Sequence, residues 1–400
     1  MNINSRRIFN LIILLSISVH EIQCQCTIDI RTDLNRSSSN IREPVILKYS
    51  GDQYKLMVPD DGELKFKKGE TALIACTSEA RPNSLTFNNK QSATIICSSG
   101  NKFNINNQQY TVSEFNECSA SITGNVLNRN RKCGSDGAFI NIGFQLTDGR
   151  GFVNLIDICY AKKRASAIYS AHVVQGNSIK NSMKSSQRPS TFKTVEVPTN
   201  IQVASSFTKA SQMKRFTDIF GSAEKASEYL DKTFLARGHL APDGDMIFVS
   251  WQWSTYYYIN VVPQWQSINN GNWKHIESVV RSKAAQLKYD LVVFTGGFDV
   301  LKLNNKKITL ASDGLEVPKW SWKVVLDSQN KNGIAFATYN NPFATNVNNL
   351  CNDICDENGW NWKERKNYSK GYTICCDVGD IMRIVSDIPP EAKSNGILQK

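Results

Sequence analysis

The feature that most constrains this chain is its set of eleven cysteines, an odd number. Where a chain with so many thiols can fold depends on the compartment it reaches. The amino terminus speaks to that. Arg6 and Arg7 precede an apolar run from Ile8 to Val19, broken only by Asn10, Ser16 and Ser18. A basic segment followed by a short apolar one is the pattern of a secretory signal. The run is too short to span a bilayer, which takes about 20 apolar residues. A mitochondrial presequence is the rival reading, but such peptides are Arg-rich and amphipathic, and this run is apolar throughout. Residues 1–24 are therefore expected to be a signal peptide and the mature protein to be extracellular, with no membrane segment. Cleavage after Cys24 removes one cysteine and leaves an even set, suited to five disulfides in an oxidising compartment. Asn35-Arg36-Ser37 and Asn367-Tyr368-Ser369 are glycosylation sequons, which fit the same compartment.

The cysteines also mark out the chain. Residues 25–150 hold short apolar or alternating runs, among them Pro44–Tyr49, Thr71–Cys76, Ser92–Cys97 and Ala138–Leu146. Clusters of Gly, Asn, Asp and Ser separate them, as turns separate strands. Cys76, Cys97, Cys118 and Cys133 punctuate this stretch, which has no His and no clustered carboxylates. It reads as a β-rich, disulfide-containing domain without an active site. A second domain is expected over 151–400. Its polar stretch at 175–200 reads as a surface loop. Ser222–Tyr229 and Asn269–Leu287 read as helices, Leu291–Thr295 and Lys323–Leu326 as buried strands. Mixed elements of this kind predict an α+β domain. Cys351, Cys355, Cys375 and Cys376 could hold zinc as four thiolates, but an oxidising compartment favours disulfides. Adjacent cysteines, with Cα atoms about 3.8 Å apart, are too close for an unstrained bridge. Cys375 and Cys376 are thus expected to tie to Cys351 and Cys355, in one of two ways.

With 41% hydrophobic and 21% charged residues the chain is not a disordered one. The net charge of +11 falls mostly after Gly151. A basic surface steers polyanions toward it, although many basic proteins bind none. The densest signal for chemistry is Ala236-Arg237-Gly238-His239-Leu240-Ala241-Pro242-Asp243-Gly244-Asp245. On a strand Arg237 and His239 share a face, and Gly238 lets the backbone approach a ligand closely. An imidazole accepts a proton near neutral pH and an Arg fork grips phosphate. Next come Asn260-Val261-Val262-Pro263-Gln264, then Ile268-Asn269-Asn270-Gly271-Asn272-Trp273, then Glu277. On a straight helix Asn269, Trp273 and Glu277 lie within about 80° of one another, on one face. Trp273 reads as core. Asn269 reads both as a helix cap and as a ligand.

This order and spacing of motifs resembles the DNA/RNA non-specific endonucleases, which include mitochondrial endonuclease G and secreted bacterial and insect nucleases. The resemblance covers roughly residues 160–390. It takes in Leu291–Gly297 and Pro318–Val325, similar to the family's later core strands. The leader, the first module and the Ala-Arg-Gly-His variant look most like secreted arthropod double-stranded ribonucleases. The resemblance implies a ββα-metal (His-Me finger) fold. It makes His239 the general base and Asn269 the one protein ligand of Mg²⁺, with Mn²⁺ as the alternative ion. Glu277 would anchor metal-bound water, Asn260 would brace the His loop and Gln264 would pack beside the site and the substrate. Arg237 would bind the phosphate and stabilise its developing charge. Implied substrates are double-stranded RNA and DNA, and single-stranded nucleic acid. The family usually has Asp where this chain has Ala236. A second, upstream basic residue often contacts phosphate, and Lys209, Lys214 and Arg215 are the candidates. Two rival functions differ in their signs. An inactive nucleic-acid-binding protein on a nuclease fold would lack the His239 and Asn269 pair, and a mitochondrial enzyme would carry an Arg-rich presequence and few cysteines.

Overall fold

A computed structural model describes residues 26–34, 41–77 and 82–400. The expected signal peptide and the Asn35 sequon lie outside these residues. Among the described residues no helix is long and apolar enough to cross a membrane.

The first part of the chain is an antiparallel six-stranded sheet. In spatial order its strands are Gln53–Leu56, Val45–Ser50, Thr71–Ala75, Ser92–Ser99, Lys102–Ile105 and Gln108–Thr111. Alternation puts Ile95 and Phe103 inside, and the continuous buried runs Val45–Leu47 and Ala72–Ala75 add Leu47 and Ile74. Disulfides Cys26–Cys97 and Cys76–Cys118 tie it together.

A nine-stranded sheet organises the rest. Its order runs Thr373–Cys376, Asn332–Tyr339, Pro318–Asp327, Leu291–Val300, Ser166–Val174, Phe152–Ala161, Gly137–Gln145 and Asn125–Cys133. Gly396–Ile397 adds a short parallel strand beside Asn332–Tyr339. The turn at 148–151, expected to open the second domain, lies within this sheet. Leu146 N–H donates to Gly151 O at 2.9 Å, and Asp148, Gly149 and Gly151 take the positive φ angles of a tight hairpin. Cys133–Cys159 bridges across that position. A cluster of turn residues signals a hairpin as readily as a linker, and here the pairing of Gly137–Gln145 with Phe152–Ala161 decides it.

Alternate residues of the sheet feed two cores. Val293, Val325 and Phe336 pack with Ile276, Val280 and Ala284 of the helix Lys274–Leu287. Phe294, Val324 and Ala335 pack with Ile381 of the helix Val378–Ile384. The helix expected at Ser222–Tyr229 forms over Ala223–Leu230, with the Ser222 side chain accepting from Lys225 N–H. The helix expected over Asn269–Leu287 is broken near its start. Asn269–Trp273 forms a π turn in which Gly271 leaves helical geometry, at φ −93° and ψ −122°. A Cβ on Gly271 would stand 2.5 Å from Lys370 O, so the 368–371 turn presses on the helix there. Asn272 holds that turn by donating to Gly371 O at 2.7 Å. The straight-helix argument that aligned Asn269 with Trp273 and Glu277 therefore fails, because the kink reorients the first turn. At the carboxyl end Cys351 pairs with Cys376 and Cys355 with Cys375. These bonds occupy both thiols of the one compact metal-type cluster among the described residues, Asp353, Cys355 and Cys375.

Candidate active site

Two strands form the base of the site. Leu235–His239 pairs antiparallel with Val261–Trp265, with Ala236 opposite Gln264 and His239 opposite Val261. Strand alternation sends Arg237 and His239 to one face, and Ala236 and Gly238 to the other. On that second face a Cβ at Gly238 would meet Gln264 Oε1 at 2.9 Å, so only glycine admits the glutamine. Gln264 Nε2 donates to Ser321 Oγ at 3.2 Å and fastens the hairpin to the sheet. Its Oε1 is buried without a partner.

Asn260 is fully buried and braces the turn after His239. Its Oδ1 accepts from Ala241 N–H at 3.0 Å, and its Nδ2 donates to Ala241 O at 2.9 Å and Thr255 O at 3.0 Å. Three bonds from one amide leave the loop a single arrangement.

His239 lies between aromatic rings, with Phe192 and Tyr256 each 5.1 Å away by centroid. Its Nε2 is buried and has no partner. Burial pulls its pKa down to about 4; Asp243 opposes the shift and Arg188 adds to it. The imidazole is thus neutral across the physiological range, the form that accepts a proton. Arg237 is caged by Phe192, Phe207 and Tyr258, with its guanidinium 5.5–5.6 Å from each ring. Its Nε donates to Tyr258 Oη at 3.0 Å, which leaves the other guanidinium donors for a ligand.

Phe192 belongs to the polar stretch 175–200, which is more than the plain surface loop its composition suggests. That loop lines the site and brings Arg188 with it. Arg188 Nε stands 3.4 Å from Asp243 Oδ2, while Tyr256 Oη donates to the same oxygen at 2.8 Å. The upstream basic residues expected from sequence have other surroundings. Arg215 donates to Thr309 Oγ1 at 2.7 Å, Lys209 sits 5.2 Å from the Phe234 ring, and Lys214 is exposed. Of these four side chains Arg188 is the one whose charge reaches His239. No spacing rule marks it in the sequence.

Asn269 and Glu277 come from the helical side. Asn269 is half-buried and its side chain makes no hydrogen bond among the described residues. Glu277 likewise accepts none. Burial raises the Glu277 pKa to about 7; Lys323 and Arg281 act against that, while Asp245 and Asp243 add to it. The charge of Asp243 thus reaches both His239 and Glu277. Asn269 and Glu277, without hydrogen bonds from the described residues, and Asp243, held by Tyr256 and Arg188, all end in oxygen. Such a set fits a hard divalent cation that keeps most of its water, as Mg²⁺ does, and does not fit a soft thiophilic metal.

The model of the DNA/RNA non-specific endonuclease family matches residues 135–381. The chain belongs to that family. It is also 30% identical over 363 residues to a salivary endonuclease of Lutzomyia longipalpis, covering 88% of this chain and 83% of that protein. Salivary protein Tsal2A of Glossina morsitans morsitans is 30% identical, over 94% of this chain and 95% of its own length. Salivary protein Tsal1 of the same fly is 26% identical over 98% of both. The protein is accordingly a nuclease, a hydrolase of nucleic acid from a metal-dependent family, and its relatives are salivary proteins. The family match begins at residue 135, ahead of the turn at 148–151, and so agrees with the sheet in taking in Gly137–Gln145.

Proposed function

We propose that this nuclease is secreted and cuts double-stranded RNA, DNA and single-stranded nucleic acid with little regard for base sequence, using Mg²⁺ and leaving 5′-phosphate ends. The observation that carries the reading is a neutral His239 whose buried Nε2 has no partner, beside an Arg237 with donors to spare. In the proposed reaction His239 takes a proton from a water molecule as the water oxygen bonds to phosphorus. The bond from phosphorus to the 3′ oxygen breaks, and that oxygen leaves with a proton from solvent. Arg237, and Arg188 once it exchanges Asp243 for phosphate, bind the non-bridging oxygens. Asn269 is the residue that would hold Mg²⁺, and Glu277 would accept hydrogen bonds from the water around it. Bound there, the ion supplies a Lewis acid for the charge that builds on the phosphate and the leaving oxygen. Asn260 keeps the His239 loop in place and Gln264 keeps the hairpin against the sheet. The sugar 2′-OH has no part in these steps, so DNA and RNA are both substrates. Contacts to phosphate rather than to base edges make sequence nearly irrelevant. Ala236 lies on the Gln264 side of the hairpin, so losing the family's Asp removes nothing from the His239 face.

The test is to incubate the purified protein with plasmid DNA and with long double-stranded RNA, with Mg²⁺ and with EDTA, and to identify the ends. Cleavage of both, stopped by EDTA and leaving 5′-phosphates, is expected. Cyclic 2′,3′-phosphate ends, or RNA cleavage that persists in EDTA, would overturn the mechanism. Binding of both polymers without cleavage would favour the inactive binding protein instead.

A further inference from the structure

The edge of the nine-stranded sheet carries a pair of arginines that the proposed chemistry does not use. The edge strand Asn125–Cys133 pairs with Gly137–Gln145 as Lys132 with Ala138 and then as Asn128 with Ile140. Three residues therefore face one across that step, and 129–131 bulge out of the ladder. Asn130 takes a φ of 51° at the bulge, and Asn128 Oδ1 accepts from its N–H at 2.8 Å. Bulges at a sheet edge re-aim the side chains they carry. Here those side chains are Arg129 and Arg131, both exposed.

Each guanidinium has an aromatic ring behind it. Arg131 lies 4.3 Å from the centroid of the Phe139 ring, and Arg129 lies 5.8 Å from that of Phe152. Arg129 Nε donates to Asn141 Oδ1. Neither arginine forms an ion pair among the described residues, and a guanidinium has five N–H donors. Their charge is felt at Asp157, which accepts hydrogen bonds from the Asn141 and Asn154 amides rather than from either arginine. Arg237 at the active site is arranged alike, with rings around it, one bond from Nε to a neutral oxygen and the rest of its fork free. Such a fork is held ready for an anion and matches phosphate in shape. Both edge-strand arginines line a cavity of about 840 Å³, together with Phe139, Tyr169, Trp251 and Asp245. The strands Phe152–Ala161 and Ser166–Val174 pair only over Asp157–Ala161 and Ser166–Ala171. They part at their other ends, and there the cavity reaches Asp245, two residues past Asp243 in the active-site loop.

We propose that Arg129 and Arg131 form a second contact site for a nucleic-acid strand, binding its phosphates away from the cleavage centre, with Phe139 and Tyr169 beside them to take bases. Aromatic rings and guanidinium planes are both surfaces on which an unpaired base stacks. The two arginines precede residue 135, so the site lies outside the part of the chain that matches the endonuclease family. Holding a strand at a second point raises the affinity for long substrates, because the second contact forms within one complex. The identity of the anion rests on the nuclease reading above; the anion site itself does not.

The experiment measures binding rather than cleavage. A fluorescein-labelled single-stranded oligonucleotide is titrated with the protein in EDTA, at a series of salt concentrations, and anisotropy gives the affinity. Each phosphate contact to a single strand contributes about 0.7 to the slope of log affinity against log salt. The double variant Arg129→Ala with Arg131→Ala should therefore bind more weakly and lose about 1.4 from that slope. Replacing both arginines with lysine should keep the slope, since the charge remains. Both side chains are exposed, and the thermal unfolding midpoint checks that the variants fold. If the double variant does not fold, Arg131→Ala, which breaks no hydrogen bond among the described residues, should lose about half as much slope. An unchanged slope in a folded variant overturns the proposal, even if the wild type cuts DNA. A sulfated oligosaccharide of equal charge offers anions without bases. If it binds as tightly as the oligonucleotide and loses the same slope, the assignment to nucleic acid is overturned as well. Loss of slope toward the oligonucleotide in a protein that cuts neither DNA nor RNA sustains the site and sinks the nuclease reading instead.

Discussion

Glu43 offers a stability prediction that can be worked through from the structure. It comes from the amino-terminal part of the chain, is 2% exposed, and its Oε1 accepts from Ser250 N–H at 2.7 Å. Ser250 is the second residue of the short helix Val249–Trp253. No cation pairs with Glu43 among the described residues. Burial therefore raises its pKa from 4.5 to about 7, with hydrogen bonds at Ser250 offsetting part of the shift. The folded protein binds this proton more tightly than the unfolded chain does. Stability from it is fully present below pH ~4.5 and is lost as pH rises through about 7. One pKa unit corresponds to about 1.4 kcal/mol, so the ionised carboxylate costs roughly 3 kcal/mol at pH 8.5. Glu43→Gln keeps an oxygen for Ser250 N–H and cannot ionise. The variant should match wild type near pH 4 and exceed it by roughly 3 kcal/mol at pH 8.5. Guanidinium unfolding of the non-reduced protein at pH 4, 6 and 8.5 measures this, and groups common to both proteins cancel in the difference. A difference that does not change with pH, or a variant less stable in alkali, would refute the reasoning.

Three further outcomes follow from the site. His239→Ala should lower turnover by about 10²–10⁴-fold, the usual contribution of a general base, with the thermal unfolding midpoint little changed; turnover within threefold of wild type rules His239 out. Asn269→Ala should weaken the response to Mg²⁺ and recover in part at high Mg²⁺, since such an ion keeps several waters. Activity equal to wild type at low Mg²⁺ would place the ligand elsewhere. Arg188→Ala should raise KM more than it lowers kcat and make binding less salt-dependent, by about one counterion in the log–log slope. An unchanged slope would mean that Arg188 never leaves Asp243.

Local geometry makes part of this site legible from residue order alone. Period-two alternation places Arg237 with His239 and opposite Ala236, whatever surrounds the strand. The glycine at 238 does admit a close approach, but by the Gln264 side chain and not by the ligand that the sequence suggests. The bracing role of Asn260, which bonds to Ala241 19 residues away, follows from the family resemblance and not from local geometry. The ten cysteines left after Cys24 implied five bridges, and the described residues contain five. Other features waited for the tertiary structure, because they depend on which distant segments share a space. The choice of Cys351–Cys376 over Cys351–Cys375 depends on how the 351–355 loop lies on the strand Thr373–Cys376. The kink at Gly271 comes from pressure by the 368–371 turn, so no helical period within Asn269–Leu287 could signal it. Arg188 and Phe192 reach His239 by folding back a loop whose composition looks featureless. Lys323, an ordinary lysine in sequence, becomes a buried charge only when the helix bearing Glu277 covers its strand. Even the neutrality of His239 is a tertiary property: an imidazole titrates near 6.5 in water, and it is the rings and chain packed around it that withdraw that water and push its pKa down to about 4.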